Sequence, residues 1–138
     1  MKLKILVADD DASLRSLIKT CLTICGYQVA EAQSGSETLA LLAKQAPDLV
    51  LLDFCMPDLS GLTVLQEIRR SNRDVAVIMS TALARPEWAE AAMAAGADGY
   101  LGKPYDFYEL RQTVAAVLMQ QPLCHFQQDV FPEKEFAL

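Results

Sequence analysis

The sequence predicts an α/β fold, a doubly wound sheet of five parallel strands covered by five helices. Three observations predict it. Short apolar runs alternate with amphipathic stretches along the chain, and the rhythm repeats five times. The runs are apolar at consecutive positions, as strands buried on both faces are. A helix-length segment follows each run, so right-handed crossovers return the chain to a parallel neighbour.

Leu3 to Ala8 reads as the first strand, broken only by Lys4 and stopping at Asp9. From Ala12 to Cys25 the residues Leu14, Leu17, Ile18, Cys21, Leu22 and Cys25 recur at helical spacing, and Gly26 ends that helix. Tyr27 to Ala30 is a short second strand. Ser34 caps a second helix to about Lys44, with Glu37 completing a capping box and Pro47 as the breaker. Asp48 to Leu52 is a buried third strand ending at Asp53. Ser60 caps a third helix carrying Leu62, Leu65 and Ile68. Val75 to Met79 is the fourth strand, and Pro86 opens an alanine-rich fourth helix that ends at Gly96. Tyr100 and Leu101 lie in a fifth strand. Asp106 caps the last helix, with Glu109 three residues on and Leu110, Val114, Val117 and Leu118 along one face. From Gln121 the pattern fails, so residues 1–120 read as one domain and 121–138 as a C-terminal tail or the start of a linker.

The length of 138 residues suits a single domain. With 52% apolar and 22% charged residues, extended disorder is excluded over most of it. Twelve Lys and Arg against 18 Asp and Glu leave a net charge of -6. That balance disfavours direct binding of nucleic acid and favours cations or basic protein surfaces. No apolar run reaches the roughly 18 residues of a membrane span, and the start of the chain lacks a secretory signal. The expectation is a cytoplasmic protein. Cys21 and Cys25, at helical spacing, read as packed, reduced core residues, while Cys55 falls in a loop and Cys124 near the end. The single histidine, His125, lies in the tail, which leaves little ground for a Ser-His-Asp or Cys-His mechanism.

In open parallel sheets ligands bind outside the carboxyl ends of the strands. Strand one ends in Asp9-Asp10-Asp11, strand three in Asp53, strand four in Ser80-Thr81-Ala82, and strand five leads into Lys103-Pro104. Two like charges about 4 Å apart repel by roughly 4 kcal/mol at an effective dielectric near 20. A cluster of carboxylates therefore needs a proton or a cation, and hard oxygen ligands suit Mg²⁺. Mg²⁺ with Lys103 would balance Asp9, Asp10 and Asp53 and leave the site ready for one more anionic group. Asp11 reads as a helix cap, not a ligand. Asp48 and Asp58 read as solvated loop residues. Trp88 faces a partner or packs on the loop after strand four.

These fragments carry a resemblance. Ile5-Leu-Val-Ala-Asp-Asp-Asp-Ala-Ser-Leu-Arg15 resembles the opening of a bacterial response-regulator receiver domain. Asp53-Phe-Cys-Met-Pro-Asp-Leu-Ser-Gly61 matches that family's D-x-x-M-P-x-x-x-G, and Thr81-Ala82 and Gly99-Tyr-Leu-Gly-Lys-Pro104 match its remaining signatures. The likeness covers about residues 3–119. It implies the flavodoxin-like strand order 2-1-3-4-5. It implies that Asp53 is a phosphoacceptor, attacking a phosphohistidine on a sensor histidine kinase or histidine phosphotransfer protein. Asp10, Asp53 and the backbone carbonyl of Cys55 would then bind Mg²⁺, with Asp9 acting largely through a water on the metal. Lys103 and Thr81 would each engage a phosphoryl oxygen. Thr81 and Tyr100 would form the switch, altering the surface of helix four, strand five and helix five. A cis Lys103-Pro104 peptide is also implied.

Departures from the family pattern matter too. Cys55 and Leu83 stand where polar residues can place an attacking water, so a long-lived acyl phosphate is expected. Ala8 and Gly102 replace larger aliphatic residues and loosen local packing. The reading is of a signalling domain, not an enzyme, that acts on a downstream protein partner or output domain, with a homodimer through helices four and five as one option. Two other functions fit part of the pattern. A small haloacid-dehalogenase-type phosphatase would use Asp9 as nucleophile with Asp11 as acid, which leaves Asp53 and its loop unexplained. A phosphate-independent binding module of the same fold would have no need of the acidic set.

Overall fold

The computed structural model describes residues 2–71, 74–82 and 85–119. The expectations for Leu83, for Cys124 and His125, and for the segment 121–138 lie outside the described residues. The elements are β1 (Lys4–Ala8), α1 (Ala12–Ile24), β2 (Gln28–Ala32), α2 (Gly35–Gln45), β3 (Leu49–Asp53), α3 (Gly61–Ser71), β4 (Ala76–Thr81), α4 (Pro86–Ala94), β5 (Gly99–Gly102) and α5 (Phe107–Leu118). The sheet runs β2-β1-β3-β4-β5, and every neighbouring pair is parallel. This is the predicted order.

Alternation along each strand divides the core in two. On β1, Ile5 and Val7 join Ile18, Cys21 and Leu22 of α1 and Leu110, Val114 and Val117 of α5. Leu6 and Ala8 face the other way, toward Leu42 of α2, Val64, Leu65 and Ile68 of α3 and Ala92 of α4. Leu49, Val50, Leu51 and Leu52 of β3 are all 2% exposed or less. Burial of such side chains is worth roughly 1.5–3 kcal/mol each. That apolar strand carries Asp53, its last residue, to the edge of the interior.

Local chemistry sets the element ends, and it corrects several expectations. Asp11 is the N-cap of α1 as read, its Oδ1 accepting from the amides of Ser13 and Leu14 at 3.0 and 3.2 Å. Gly26, at φ 99°, closes α1, and Tyr27 donates its amide to the Leu22 carbonyl at 3.1 Å. Because that closure uses Tyr27, β2 starts at Gln28 instead of Tyr27. Strand β4 runs on to Thr81, past the expected Met79, because Ser80 pairs with Asp53 and Thr81 with Gly102. Helix α3 buries Val64 with Leu65 and Ile68, and Leu62 is only partly covered. Ser34 Oγ caps the Glu37 amide at 3.1 Å, but Glu37 Oε1 accepts from the Gln33 amide at 2.7 Å, one residue before the position a capping box requires. Asp106 and Glu109 form the complete box. Cys21 is buried but Cys25, the C-cap of α1, is exposed, so only one of the pair is a core residue. Asp48 is more than a solvated loop residue: its Oδ2 accepts from the Lys4 amide at 2.8 Å and ties the approach to β3 to the start of β1.

Candidate functional site

Because β1 and β3 are parallel neighbours, their carboxyl ends share one rim. Asp9 follows β1 directly and Asp53 closes β3. Asp9, Asp10 and Asp53 each bring a carboxylate oxygen within 4.8 Å of the others, with Asp9 and Asp53 buried and Asp10 exposed. Lys103 enters from the end of β5. Its Nζ donates to Asp9 Oδ2 at 2.8 Å and lies 3.5 Å from Asp53 Oδ1. The Lys103-Pro104 peptide is cis, as the resemblance implied. Four of the expected residues thus meet in space.

The charge balance of this corner is unfinished. Three carboxylates face one ammonium, a net of two negative charges. Burial first, and the neighbouring Asp9 charge second, push the Asp53 carboxyl up to about 6; Lys103 and the Cys55 amide offset only part of this. Burial alone would lower the Lys103 ammonium, but its bond to Asp9 and the charges of Asp53 and Asp9 outweigh that and raise it. Hard oxygen donors converging with excess negative charge fit a small divalent cation. The Asp9, Asp10 and Asp53 set therefore suits Mg²⁺.

The walls of the site come from residues on either side of it. Asp9 Oδ1 accepts from the Asp11 amide at 2.9 Å. Arg15, one turn into α1, donates from Nη1 to the Asp9 carbonyl at 2.6 Å and from Nε to Glu31 Oε1 at 2.9 Å. Lys19 reaches the other Glu31 oxygen at 3.3 Å. Burial would raise the Glu31 carboxyl, yet these cations hold it below its usual value. Below Asp53 the loop 54–60 doubles back, and the Gly61 amide donates to the Phe54 carbonyl at 2.7 Å. A Cβ on Gly61 would stand 2.3 Å from the Asp53 carbonyl oxygen, so only glycine fits there. The Cys55 amide approaches Asp53 Oδ1 at 3.5 Å.

Thr81 is buried at the end of β4, and its carbonyl accepts from the Lys103 amide at 2.7 Å. Tyr100, half-buried on β5, packs against the cluster shared with α2, α3 and α4. Burial raises its phenol above the ordinary value. Trp88, half-buried on α4, has a contact that neither expectation named: its ring meets Phe54 edge to face, centroids 4.6 Å apart at 84°, and so packs on the residue after Asp53. Asp58 is an exposed loop residue as read, but solvation is not its whole role. Its carboxylate collects donors from the start of α2. The sequence alone assigns no role at this site to Arg15, Phe54, Trp88 or Asp58. For Arg15 a signal existed, a basic residue one helical turn after the Asp11 cap. For the others the relevant contacts join loops distant in sequence.

A parallel 2-1-3-4-5 sheet with an acidic corner facing a lysine is the architecture of response-regulator receiver domains. Residues 5–115 match the family model described as response regulator receiver domain, and the chain belongs to that family. It is 44% identical over 117 residues to a probable transcriptional regulator, ycf27, of Porphyra purpurea, an overlap of 85% of this chain and 48% of that protein. It is 40% identical over 118 residues to the response regulator MprA of Mycolicibacterium vanbaalenii, covering 86% of this chain and 51% of that one. The chain spans about half the length of these curated relatives. Among solved structures it resembles the chemotaxis protein CheY4 of Vibrio cholerae, with a TM-score of 0.81 and 30% identity over 85% of this chain and 99% of that one. The receiver domain of Francisella response regulator 1452 is similar at TM-score 0.81 and 33% identity, over 85% and 97% of the two chains. Among the described residues no helix is long and apolar enough to cross a membrane.

Proposed function

We propose that this chain accepts a phosphoryl group onto Asp53 from the phosphohistidine of a sensor histidine kinase or a histidine phosphotransfer protein, in a Mg²⁺-dependent reaction. The observation that carries this reading is the corner itself: Asp9, Asp10 and Asp53 within 4.8 Å, with Lys103 against Asp9 and Asp53 and the set short of positive charge. Asp10, Asp53 and the Cys55 carbonyl would hold the metal, with Asp9 beside them. When bound, Mg²⁺ neutralises the carboxylates and the incoming phosphoryl oxygens. Asp53 then attacks phosphorus as a carboxylate; the P–N bond to the histidine breaks as the P–O bond forms, and the imidazole departs. Such transfer requires chiefly positioning and neutralisation of spread charge. Lys103 pairs with one phosphoryl oxygen and Thr81 donates its hydroxyl to another.

The product replaces a single negative charge with about two. Thr81 moves toward the new group, Tyr100 turns inward behind it, and the surface of α4, β5 and α5 changes. This is a population shift, which requires that the phosphoryl group favour the altered arrangement. The reader is a downstream partner or output domain, and α4 with α5 offers a face for a second copy. Residues 1–120 are read as the receiver and 121–138 as a C-terminal tail or the start of a linker. Cys55 and Leu83 are poor at placing an attacking water, so the acyl phosphate is long-lived.

The test is the mass of the full chain after incubation with Mg²⁺ and phosphoramidate. One added phosphoryl, lost in Asp53→Asn, supports the reading. No uptake by the wild-type chain overturns it. Uptake that persists in Asp53→Asn and disappears in Asp9→Asn points to the dehalogenase-type phosphatase instead. Both Asp9 oxygens are already engaged, by the Asp11 amide and by Lys103, which disfavours that outcome.

A further inference from the structure

We propose that Asp58 is a positioning residue for the acidic site: it pins the β3–α3 loop to the first turn of α2 and thereby fixes the Cys55 carbonyl beside Asp53 for a divalent cation. The proposal deepens the function proposed above and rests on it. Asp58 Oδ1 accepts from the amides of Gly35 and Leu59, each at 2.8 Å. Its Oδ2 accepts from the Ser36 amide at 2.9 Å and from the Ser36 hydroxyl. Four donors thus converge on one exposed carboxylate, and the Ser36 hydroxyl and amide with the Gly35 amide hold it far below the usual carboxylate range.

These donors are no accident of a surface turn. Gly35 and Ser36 open α2, where amides have no acceptor within the helix. Ser34 caps only the Glu37 amide, so Asp58 supplies the acceptors that the helix's own cap does not. Side chains of the loop and of α3 also crowd the start of α2: a Cβ on Gly35 would stand 2.8 Å from Leu59 Cβ and 3.0 Å from Val64 Cγ2. Helix α2 is itself seated on the sheet through Leu42 and Thr38, which makes it a firm anchor. At the loop's other end Gly61 closes on Phe54 and lies against Asp53. Cys55 sits between the two pins, exposed, its amide 3.5 Å from Asp53 Oδ1. Releasing Asp58 frees that segment while leaving the acidic residues in place.

Groups that orient metal ligands without touching the metal typically contribute 10- to 100-fold in affinity. The experiment compares the full wild-type chain with Asp58→Ala, Asp58→Asn and Ser36→Ala at a temperature where all are folded. Mg²⁺ affinity is measured by titration calorimetry, and amide hydrogen exchange is followed in metal-free buffer. Asp58→Ala is expected to weaken Mg²⁺ about tenfold or more and to speed exchange in 54–61, with β1 and β3 unchanged. Asp58→Asn and Ser36→Ala shift both readouts in the same direction by less, and they decide the matter if Asp58→Ala does not fold. A folded Asp58→Ala with lower thermal stability but wild-type Mg²⁺ affinity overturns the proposal and leaves the parent reading intact. A wild-type chain that neither binds Mg²⁺ nor takes up a phosphoryl group overturns both.

Discussion

Asp53 and Asp58 lie on the same stretch of chain, one at the sheet's inner corner and one at the loop's outer crown, and their surroundings drive them in opposite directions. Asp53 is buried beside a second carboxylate and is pushed up to about 6. Asp58 is exposed, ringed by amides and a hydroxyl, and is held well below its ordinary value. Burial without enough donors leaves a carboxylate in need of a cation. Donors without burial leave one already satisfied. The first arrangement can respond to a ligand; the second is suited to holding a loop still.

Substitutions at the two places should separate these roles. The largest effect is expected at the inner corner, where Lys103→Met leaves Asp9 and Asp53 without their ammonium. Removing one partner of a buried ion pair costs about 3–5 kcal/mol, read by urea unfolding at pH 7 without Mg²⁺, and saturating Mg²⁺ should restore much of the loss. Unchanged stability would mean that the corner is not electrostatically strained. Next comes Asp53→Asn, with the opposite sign. The folded-state pKa of Asp53 is raised, from 3.8 to about 6, so its contribution to stability is present below about pH 4 and lost as pH rises through about 6. At pH 7 without Mg²⁺ the asparagine variant should gain up to about 3 kcal/mol, and the gain should vanish near pH 4.

The smallest effect is expected at the crown. Asp58 has a lowered folded-state pKa, so its contribution is present above its unfolded pKa and is lost only as pH falls through the folded value. The difference between wild type and Asp58→Asn should therefore stay flat from pH 7 to about pH 4 and fade in stronger acid. A difference that changed sign between pH 4 and 6 would erase the contrast between the two aspartates.

The sheet and the acidic corner were legible because their signals are local. Leu49 to Leu52 read as a buried strand from composition alone, and a parallel sheet brings strand ends such as Asp9 and Asp53 to one rim. Strand limits were legible only approximately. Ser80 and Thr81 are polar, so β4 seemed to stop at Met79, although pairing with β3 and β5 carries it two residues further. The loop clamp was not legible at all. Nothing in Asp-Leu-Ser after Pro57 announces that Asp58 will meet Gly35 and Ser36, because that meeting depends on how α2 and α3 pack together. Trp88 is a similar case, placed against Phe54 by the fold and not by any periodicity.

That aromatic contact gives the molecule a gauge of its own. The chain has a single tryptophan, so its emission comes from one place, and that place touches the neighbour of Asp53. A change at the carboxylate that displaces Phe54 alters the indole's surroundings and hence its brightness. The occupancy of the corner can then be followed in a cuvette, in real time, on unlabelled protein.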